Sequence, residues 1–401
     1  MPEISVRGLE MPESPIRKLA PLAAAAKSRG IKVYHLNIGQ PDLPTPKVGL
    51  DALKNINRDI LEYSPSQGNL SYRQKLVGYY QKYNINVSAD DIIITSGGSE
   101  AVLFAFMSCL NPGDEIIVPE PAYANYMAFA ISAGAKIRTI ATTIEEGFSL
   151  PKVEKFEELI NERTRAIMIC NPNNPTGYLY TRREMNQIRD LVKKYDLYLF
   201  SDEVYREYIY TGSPYISACH LEGIQQNVIL IDSVSKRYSE CGIRIGALIT
   251  KNKEVRAAVM KFCQARLSPP LIGQIVAEAS LDAPEEYYRD VYDEYVERRK
   301  CLIDGLNRIS GVYSPIPMGA FYTVAKLPVD DSEKFCRWCL EKFDYEGETV
   351  MMAPAAGFYT TPGAGINQVR IAYVLKKKDL ERALFVLRKA LEAYPGRVED
   401  E

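Results

Sequence analysis

The sequence predicts an α/β protein: a large domain with a mainly parallel sheet flanked by helices on both faces, plus a smaller α+β domain. Three observations predict this fold class. The chain has 401 residues, more than one compact core usually contains. Between residues 90 and 250, short apolar runs without polar alternation are interspersed with helical patterns, which is typical of parallel strands buried on both faces. After residue 285, long charged helical patterns are separated by short strand-like pieces.

The predicted elements follow the chain in a regular order. An alanine-rich stretch at 21–29 predicts a helix, and the segment GQPDLPTP at 39–46 predicts a connector because proline is excluded from helix interiors. The predicted strands are the apolar runs 92–94, 116–118, 166–169, 197–200, 228–231 and 247–249. The other predicted helices are 100–110, 285–307, 332–343 and 378–393. We expect an N-terminal arm with part of the small domain at 1–45, the large domain at 46–285 and the small C-terminal domain at 286–401.

Composition argues against several classes of partner. The formal net charge is -2 and the pI about 6.0, so no bulk positive field attracts a nucleic acid or an anionic membrane. The N-terminus lacks a basic region followed by an apolar one, and no stretch approaches the ~18 apolar residues of a membrane span. We expect a cytoplasmic protein.

Cysteine and histidine usage argues against a metal site. The eight cysteines are scattered, which favours reduced thiols. Cys336 and Cys339 form a CxxC without a second ligand pair, so we interpret them as ordinary helix cysteines rather than a zinc or redox site. The presence of only His35 and His220 argues against a metal site of several histidines and against a nucleophile-histidine pair, so the general base is sought among other residue types.

Polar residues with chemical capability follow five of the predicted strands. In open parallel sheets, ligands bind beyond the carboxyl ends of the strands. The five strings at these ends are TSGGS (95–99), PEPAY (119–123), NPNNPTG (171–177), SDEVY (201–205) and DSVSK (232–236). We therefore expect the active site at this edge of the sheet.

Three of these strings suggest particular chemistry, each against a simpler alternative. The amides of 97–99, at a helix start, can bind phosphate, although a plain strand-to-helix turn explains them alone. Ser233, Lys236 and Arg244 offer a hydroxyl, an amine that can condense with an aldehyde and a guanidinium that can hold a phosphate, whereas most Lys-Arg neighbourhoods are solvated surface. Asp202 follows an apolar run and needs a cation or donors, unless it is a helix N-cap.

Three motifs carry a resemblance to a known family: SxSK-x5-GxRxG at 233–246, NPxNPTG at 171–177 and DEVY at 202–205. Together they resemble the class I and II aminotransferases of fold type I, and the resemblance extends from about residue 36 to 373. It implies an aminotransferase dependent on pyridoxal 5'-phosphate (PLP), which binds in the large domain. Such an enzyme moves an amino group from an L-amino acid to a 2-oxo acid, with aspartate and 2-oxoglutarate as one candidate pair.

The resemblance, carried over residue by residue, implies three catalytic residues. Lys236 would hold PLP as a Schiff base and, once displaced by the incoming amine, remove the Cα proton as general base. Asp202 would pair with the pyridine nitrogen. Tyr205, together with Asn174, would bond the phenolic oxygen of the cofactor.

The other cofactor and substrate residues are implied in the same way. Four residues resemble those with which the family binds the cofactor phosphate: Gly98, Ser99, Ser233 and Arg244. Tyr123 resembles the aromatic residue that stacks on the ring. Arg370, in VRIAY, and the Gly39 backbone would bind the substrate α-carboxylate, and Asn174 would also contribute to substrate binding. Tyr63, in a YxPxxG string, would reach the phosphate of the neighbouring subunit, which implies a homodimer with active sites at the interface.

Two questions stay open at this point. A C-S β-lyase or another fold type I lyase uses the same fold and lysine, and a noncatalytic module that binds PLP or an amino acid is an alternative of a different class. Arg266, in FCQARLSPP, would favour an acidic substrate if it faces the neighbouring active site. The alternative for Arg266 is a surface or subunit-contact role.

Overall fold

The computed structural model describes residues 2–398. Their fold is built on a seven-stranded sheet, with two smaller sheets beside it. The strands are β1 (Lys32–His35), β2 (Ile92–Thr95), β3 (Glu115–Glu120), β4 (Lys136–Ala141), β5 (Thr164–Cys170), β6 (Tyr198–Asp202), β7 (Val228–Ser233), β8 (Gly246–Ile249), β9 (Tyr322–Lys326), β10 (Glu348–Met351), β11 (Ala353–Pro354) and β12 (Gln368–Ala372).

Fourteen α-helices connect and cover these strands in the described range. They are α1 (Val6–Glu10), α2 (Ala20–Ser28), α3 (Lys47–Lys54), α4 (Leu70–Gln81), α5 (Gly97–Cys109), α6 (Asn125–Ala133), α7 (Val153–Glu157), α8 (Arg182–Tyr195), α9 (Val234–Arg237), α10 (Lys253–Ala265), α11 (Leu271–Ser280), α12 (Glu285–Leu306), α13 (Ser332–Glu341) and α14 (Lys377–Ala393). Every helix predicted from the sequence is present, with ends within about three residues.

The large sheet has the strand order β2-β8-β7-β6-β5-β3-β4. All neighbouring strands pair in parallel except β8, which is antiparallel to both β7 and β2. A parallel crossover is usually made by a full α-helix that packs on the sheet. The link from β7 to β8 contains only the four-residue α9 and a 3-10 turn, so the chain returns antiparallel.

Helices cover both faces of the large sheet, because alternate residues of one strand belong to different cores. Met168 of β5 packs in the cluster that contains Phe106 of α5. Its neighbour Ile167 packs in the cluster with Met185 of α8. The predicted mainly parallel sheet with helices on both faces is therefore confirmed.

The strand β4 was not predicted. Its sequence KIRTIA lies at the edge of the sheet and is only partly buried. An edge strand with charged residues lacks the uniform apolar run by which the interior strands are detected.

One of the two smaller sheets joins the N-terminal segment to the C-terminal part of the chain, and the other lies within the C-terminal part. β1 pairs in parallel with β10, with Lys32 opposite Glu348, and β12 lies between β11 and β9 in an antiparallel sheet. β1, in the segment before residue 45, thus pairs with a strand of the C-terminal part, and the division into domains at 45 and 285 stays a prediction. Within residues 2–398 no helix is long and apolar enough to cross a bilayer, and no group of three His, Cys, Asp or Glu side chains is arranged to hold a metal ion. The eight cysteines are free thiols in this range, and Cys336 and Cys339 are buried in α13.

Candidate active site

Lys236 lies on α9, directly beyond the carboxyl end of β7. The Ser233 hydroxyl caps this short helix by accepting from the Ser235 amide at 3.2 Å. The Lys236 amine donates to the Gly39 carbonyl oxygen at 2.9 Å. Burial lowers the pKa of this amine, and the positive charges of Arg370 and Arg244 lower it further. A larger fraction of the amine is therefore uncharged near neutral pH than for an exposed lysine.

An anion cradle lies beside Lys236, at the start of α5. The amides of Gly98 and Ser99 have no acceptor among the described residues, because Ser96 provides no side-chain cap. Gly97 has φ of 78°, and a Cβ added there would lie 2.3 Å from the Arg244 guanidinium. Only glycine allows this close approach of the arginine to the helix start. Free amides, a helix N-terminus and a cation together favour a phosphate.

Ser233 and Arg244 complete the cradle. A Cβ built on Gly98 would lie 3.8 Å from the Ser233 Cβ, so the serine lies next to the helix start. The Arg244 guanidinium is held by the Cys241 carbonyl at 2.9 Å and by the Ser235 hydroxyl at 3.5 Å. The structure thus brings together all four residues expected to bind phosphate within one chain.

Asp202 ends β6, paired with Cys170 of β5. Its carboxylate accepts from the Tyr126 hydroxyl at 2.6 Å and from the Val204 amide at 3.3 Å. Burial raises the pKa of Asp202 to about 6, although these two hydrogen bonds oppose the change. No arginine, lysine or histidine in residues 2–398 forms an ion pair with it. The site thus offers a desolvated carboxylate that a cationic ligand would stabilise.

A hydrogen-bond chain links the other predicted polar residues. The Asn174 amide donates to the Tyr205 hydroxyl at 3.4 Å, and the Tyr205 hydroxyl is 3.0 Å from that of Tyr322. The Tyr322 hydroxyl in turn donates to the Gly39 oxygen at 3.4 Å. The chain therefore runs from Asn174 to the same oxygen that holds the Lys236 amine.

Arg370 presents a buried guanidinium from β12. It donates to the Asn174 side-chain oxygen at 3.3 Å and to the Asn37 carbonyl. Its guanidinium lies 4.8 Å from the Tyr322 ring centroid and 5.1 Å from that of Phe358. Its Nε has no partner, and the Arg370 side chain contacts no carboxylate of the described chain. A buried arginine without a counter-ion is a ready site for a carboxylate.

Burial raises the pKa of the Tyr123 hydroxyl. The positive charge of Arg370 lowers this pKa and the negative charge of Asp202 raises it, so Tyr123 is close enough to both groups to be influenced by their charges. Its ring packs edge-on against Tyr126, with centroids 5.4 Å apart. Tyr123, the residue expected to stack on a planar ligand, thus lies next to the tyrosine that donates to Asp202.

Glu120 fastens the large sheet to the loop that carries Phe358. The carboxylate of Glu120 is buried and accepts from the Thr360 amide at 2.7 Å and from the Thr361 hydroxyl. The Ala122 amide also donates to the Phe358 carbonyl at 2.8 Å. These contacts hold one aromatic face of the Arg370 pocket against the end of β3.

Two predicted site residues lie apart from this cluster. Tyr63 is 75% exposed and forms no side-chain hydrogen bond in the described chain. Arg266 donates to the Ser66 and Ile94 carbonyls at 3.4 and 3.3 Å and pairs with Glu100 at 3.5 Å. These contacts favour a structural or subunit-contact role for Arg266, and its contact with substrate stays a prediction.

Sequence reasoning missed four residues of the site: Asn37, Tyr126, Tyr322 and Phe358. Tyr126 could have been found, because it lies at the start of α6, about one helical turn after Tyr123. Tyr322 and Phe358 come from the C-terminal part of the chain, and their sequence neighbours carry no motif that points to the Lys236 region.

Comparison with known proteins agrees with this geometry. The profile of the family described as Aminotransferase class I and II matches residues 31–387. The chain is 33% identical to an aspartate aminotransferase of Pyrococcus horikoshii over 97% of each chain. Among solved structures, the aspartate aminotransferase of Thermus thermophilus with maleate is 27% identical, with a TM-score of 0.89 over 98% of this chain and 100% of that chain. An alanine aminotransferase of Pyrococcus furiosus is 30% identical, with the same TM-score and coverage.

The profile match covers well over half of the chain, and the similar structures have the fold described above. The predicted family and fold class are thereby confirmed. The chain belongs to the class I and II aminotransferase family.

Proposed function

We propose that this transaminase uses PLP, held covalently by Lys236, to move an amino group from an L-amino acid to a 2-oxo acid. One observation carries the proposal: an amine with a lowered pKa lies in one site with an anion cradle and a buried arginine that lacks a counter-ion. A phosphorylated aldehyde and a substrate carboxylate would satisfy these three features together.

The residues present fit PLP. Gly98, Ser99, Ser233 and Arg244 would hold its phosphate, as expected from the sequence. Asp202, whose pKa is raised in the absence of a cation, would gain a partner in a protonated ring nitrogen. When bound, the cofactor supplies an aldehyde carbon and a ring that withdraws electrons.

The chain's own residues would then divide the work. Once displaced by the incoming amine, the Lys236 amine would accept the proton from the substrate Cα, and burial, which lowers its pKa, favours the uncharged form that can do so. Arg370 holds the α-carboxylate with the donors that Asn37 and Asn174 leave available, so the Cα–H bond is oriented toward the lysine. An ionised Asp202 would favour a proton on the ring nitrogen of the bound cofactor.

We further infer that the enzyme is a homodimer and that Tyr63 acts in the partner's site. Two apolar side chains shortly before Tyr63 in the chain are also exposed: Ile60 and Leu61 are 72% and 60% exposed, and Tyr63 itself is 75% exposed. An apolar segment of this kind next to a tyrosine supports burial against a second copy.

The preferred amino acid is the least determined part of the proposal. Proteins of comparable similarity are named aspartate aminotransferase and alanine aminotransferase. Another relative, from Methanocaldococcus jannaschii, is named (5-formylfuran-3-yl)methyl phosphate transaminase. We propose aspartate and 2-oxoglutarate as the first pair to test, because several similar proteins are named aspartate aminotransferase.

The test is a panel of amino acids assayed against 2-oxoglutarate, with pyruvate and ammonia release measured in parallel. Glutamate formation without ammonia supports transamination. Ammonia and pyruvate from sulfur-containing amino acids would identify a C-S β-lyase. Cofactor binding with neither activity would identify a noncatalytic module.

A further inference from the structure

The helix that carries Lys236 is too short to fix its own conformation. α9 has four residues, and an isolated helical turn is unstable because nucleation costs more than one turn recovers. Something outside the helix must therefore hold the lysine's main chain. Asp232, shortly before α9, and Arg237, at its end, belong to a group of buried charged residues, here called the ion cluster: Glu203, Arg206, Asp232 and Arg237, each at most 2% exposed.

The ion cluster clamps both ends of α9. Asp232, four residues before Lys236, accepts from the Ser233 amide at 2.8 Å. Arg237, directly after Lys236, donates to both oxygens of Asp232 at 2.7 and 2.6 Å. A salt bridge thus closes the loop that contains the lysine. Because both partners are desolvated, removing one leaves the other charge unpaired.

The rest of the cluster comes from the segment after β6. Arg206 pairs with Glu203 at 3.1 Å and with Asp232 at 3.6 Å. The Tyr208 hydroxyl donates to the carbonyl oxygen of Lys236 itself at 2.6 Å. Tyr205 lies in the same segment, and Asp202 directly precedes it at the end of β6, so the segment that contacts α9 through Tyr208 also contributes to the active site.

Tyr208 is itself held rigidly. Its ring packs edge-on against Tyr295 and Phe321, with centroids 5.2 Å away in each case. Phe321 also packs edge-on against Tyr205. The position of the Lys236 carbonyl is therefore tied to residues of the active site.

We propose that Tyr208 and the ion cluster are positioning residues that fix the Lys236 main chain and so aim its amine. None of them reaches the reacting atoms, so they act through Lys236 alone. The inference rests on the proposed function, because it assigns Lys236 the reactive role.

The main test replaces Tyr208 by phenylalanine in the holoenzyme. Tyr208→Phe removes one hydroxyl and leaves the ring packing intact. Tyr210→Phe is the matched control, because the Tyr210 hydroxyl also donates to a buried carbonyl, that of Ala320, at 2.7 Å. Loss of the hydrogen bond to Lys236 should lower kcat roughly tenfold while KM changes less than about twofold.

A second readout separates positioning from general structural loss. The visible absorbance of the lysine-bound cofactor is titrated with pH without substrate, and its midpoint should shift in Tyr208→Phe but not in Tyr210→Phe. Thermal unfolding midpoints should fall by similar amounts in both variants. Arg237→Lys, which keeps the charge but loses the two-oxygen contact with Asp232, should show the same spectral shift as Tyr208→Phe.

Two outcomes overturn the proposal, and they are distinguishable. If the wild-type protein carries no cofactor on Lys236, the proposed function and the positioning role fail together. If the wild-type protein carries it and both Tyr208→Phe and Arg237→Lys keep the wild-type kcat and titration midpoint, only the positioning role fails. Tyr208→Phe keeps the test decisive should Arg237→Lys not fold.

Discussion

Replacing Asp202 by asparagine should remove a pH-dependent destabilisation from the cofactor-free protein. In the folded chain the pKa of Asp202 is about 6, against an ordinary value of 3.8. Between these two values the folded state binds a proton that the unfolded state has released, so stability falls as pH rises through this window. The asparagine side chain of Asp202→Asn cannot titrate, yet its oxygen can still accept from Tyr126.

The magnitude follows from the change in pKa. At about 1.4 kcal/mol per pKa unit, ionisation of buried Asp202 costs roughly 3 kcal/mol in total at high pH. Roughly half of this cost, about 1.4 kcal/mol, accumulates between pH 5 and pH 8, where the measurement is practical. The unfolding free energy of Asp202→Asn should therefore gain about 1.4 kcal/mol on that of the wild type over this range.

The assay is urea unfolding of both proteins without cofactor, at one subunit concentration and at several pH values from 5 to 8. Asp190→Asn is a suitable control, because its carboxylate is 64% exposed on α8 and its loss removes one negative charge without relieving burial. With PLP bound, the wild type should instead be stabilised relative to Asp202→Asn, since a cationic ring nitrogen stabilises ionised Asp202. Identical pH dependence of the wild type and Asp202→Asn would refute the reasoning.

Three further predictions concern the substrate and the partner subunit. Arg370→Leu should raise KM for amino and oxo acids alike by on the order of 100-fold, because a buried charge pair is lost; an unchanged KM in steady-state kinetics would contradict this role. Arg266→Leu should change the ratio of kcat/KM for aspartate and phenylalanine by about tenfold or more if the side chain faces substrate, and an unchanged ratio would leave it a structural residue. Tyr63→Phe should raise the Kd for PLP roughly tenfold, and light scattering should show a dimer; a fully active monomer would rule out its action across the interface.

Much of the fold could be predicted from the sequence because the interior strands are uniformly apolar. The runs at 166–169 and 228–231 correspond to β5 and β7, and the polar strings after them lie at one edge of the sheet. The antiparallel direction of β8 could be explained only afterwards, from the short link that contains α9. The edge strand β4 was missed, because its charged, half-buried sequence resembles a surface segment.

The candidate site was predictable where its residues lie in local motifs. Lys236, Asp202 and Asn174 each follow a strand, so the topology alone brings them together. Tyr322 and Phe358 arrive from the C-terminal part, and only tertiary packing places them around Arg370. The salt bridge between Arg237 and Asp232 could not be predicted either, because the sequence shows two charged residues near a lysine but not that both are buried and in contact.

The central claim is that the amine of Lys236, and no other, binds the cofactor covalently. The most direct test is to incubate the protein with PLP, reduce it with borohydride and map the modified peptide by mass spectrometry. The account predicts one pyridoxyl group per chain, located on Lys236 and absent from Lys236→Ala. An adduct on a different lysine, or none in the wild type, would contradict it.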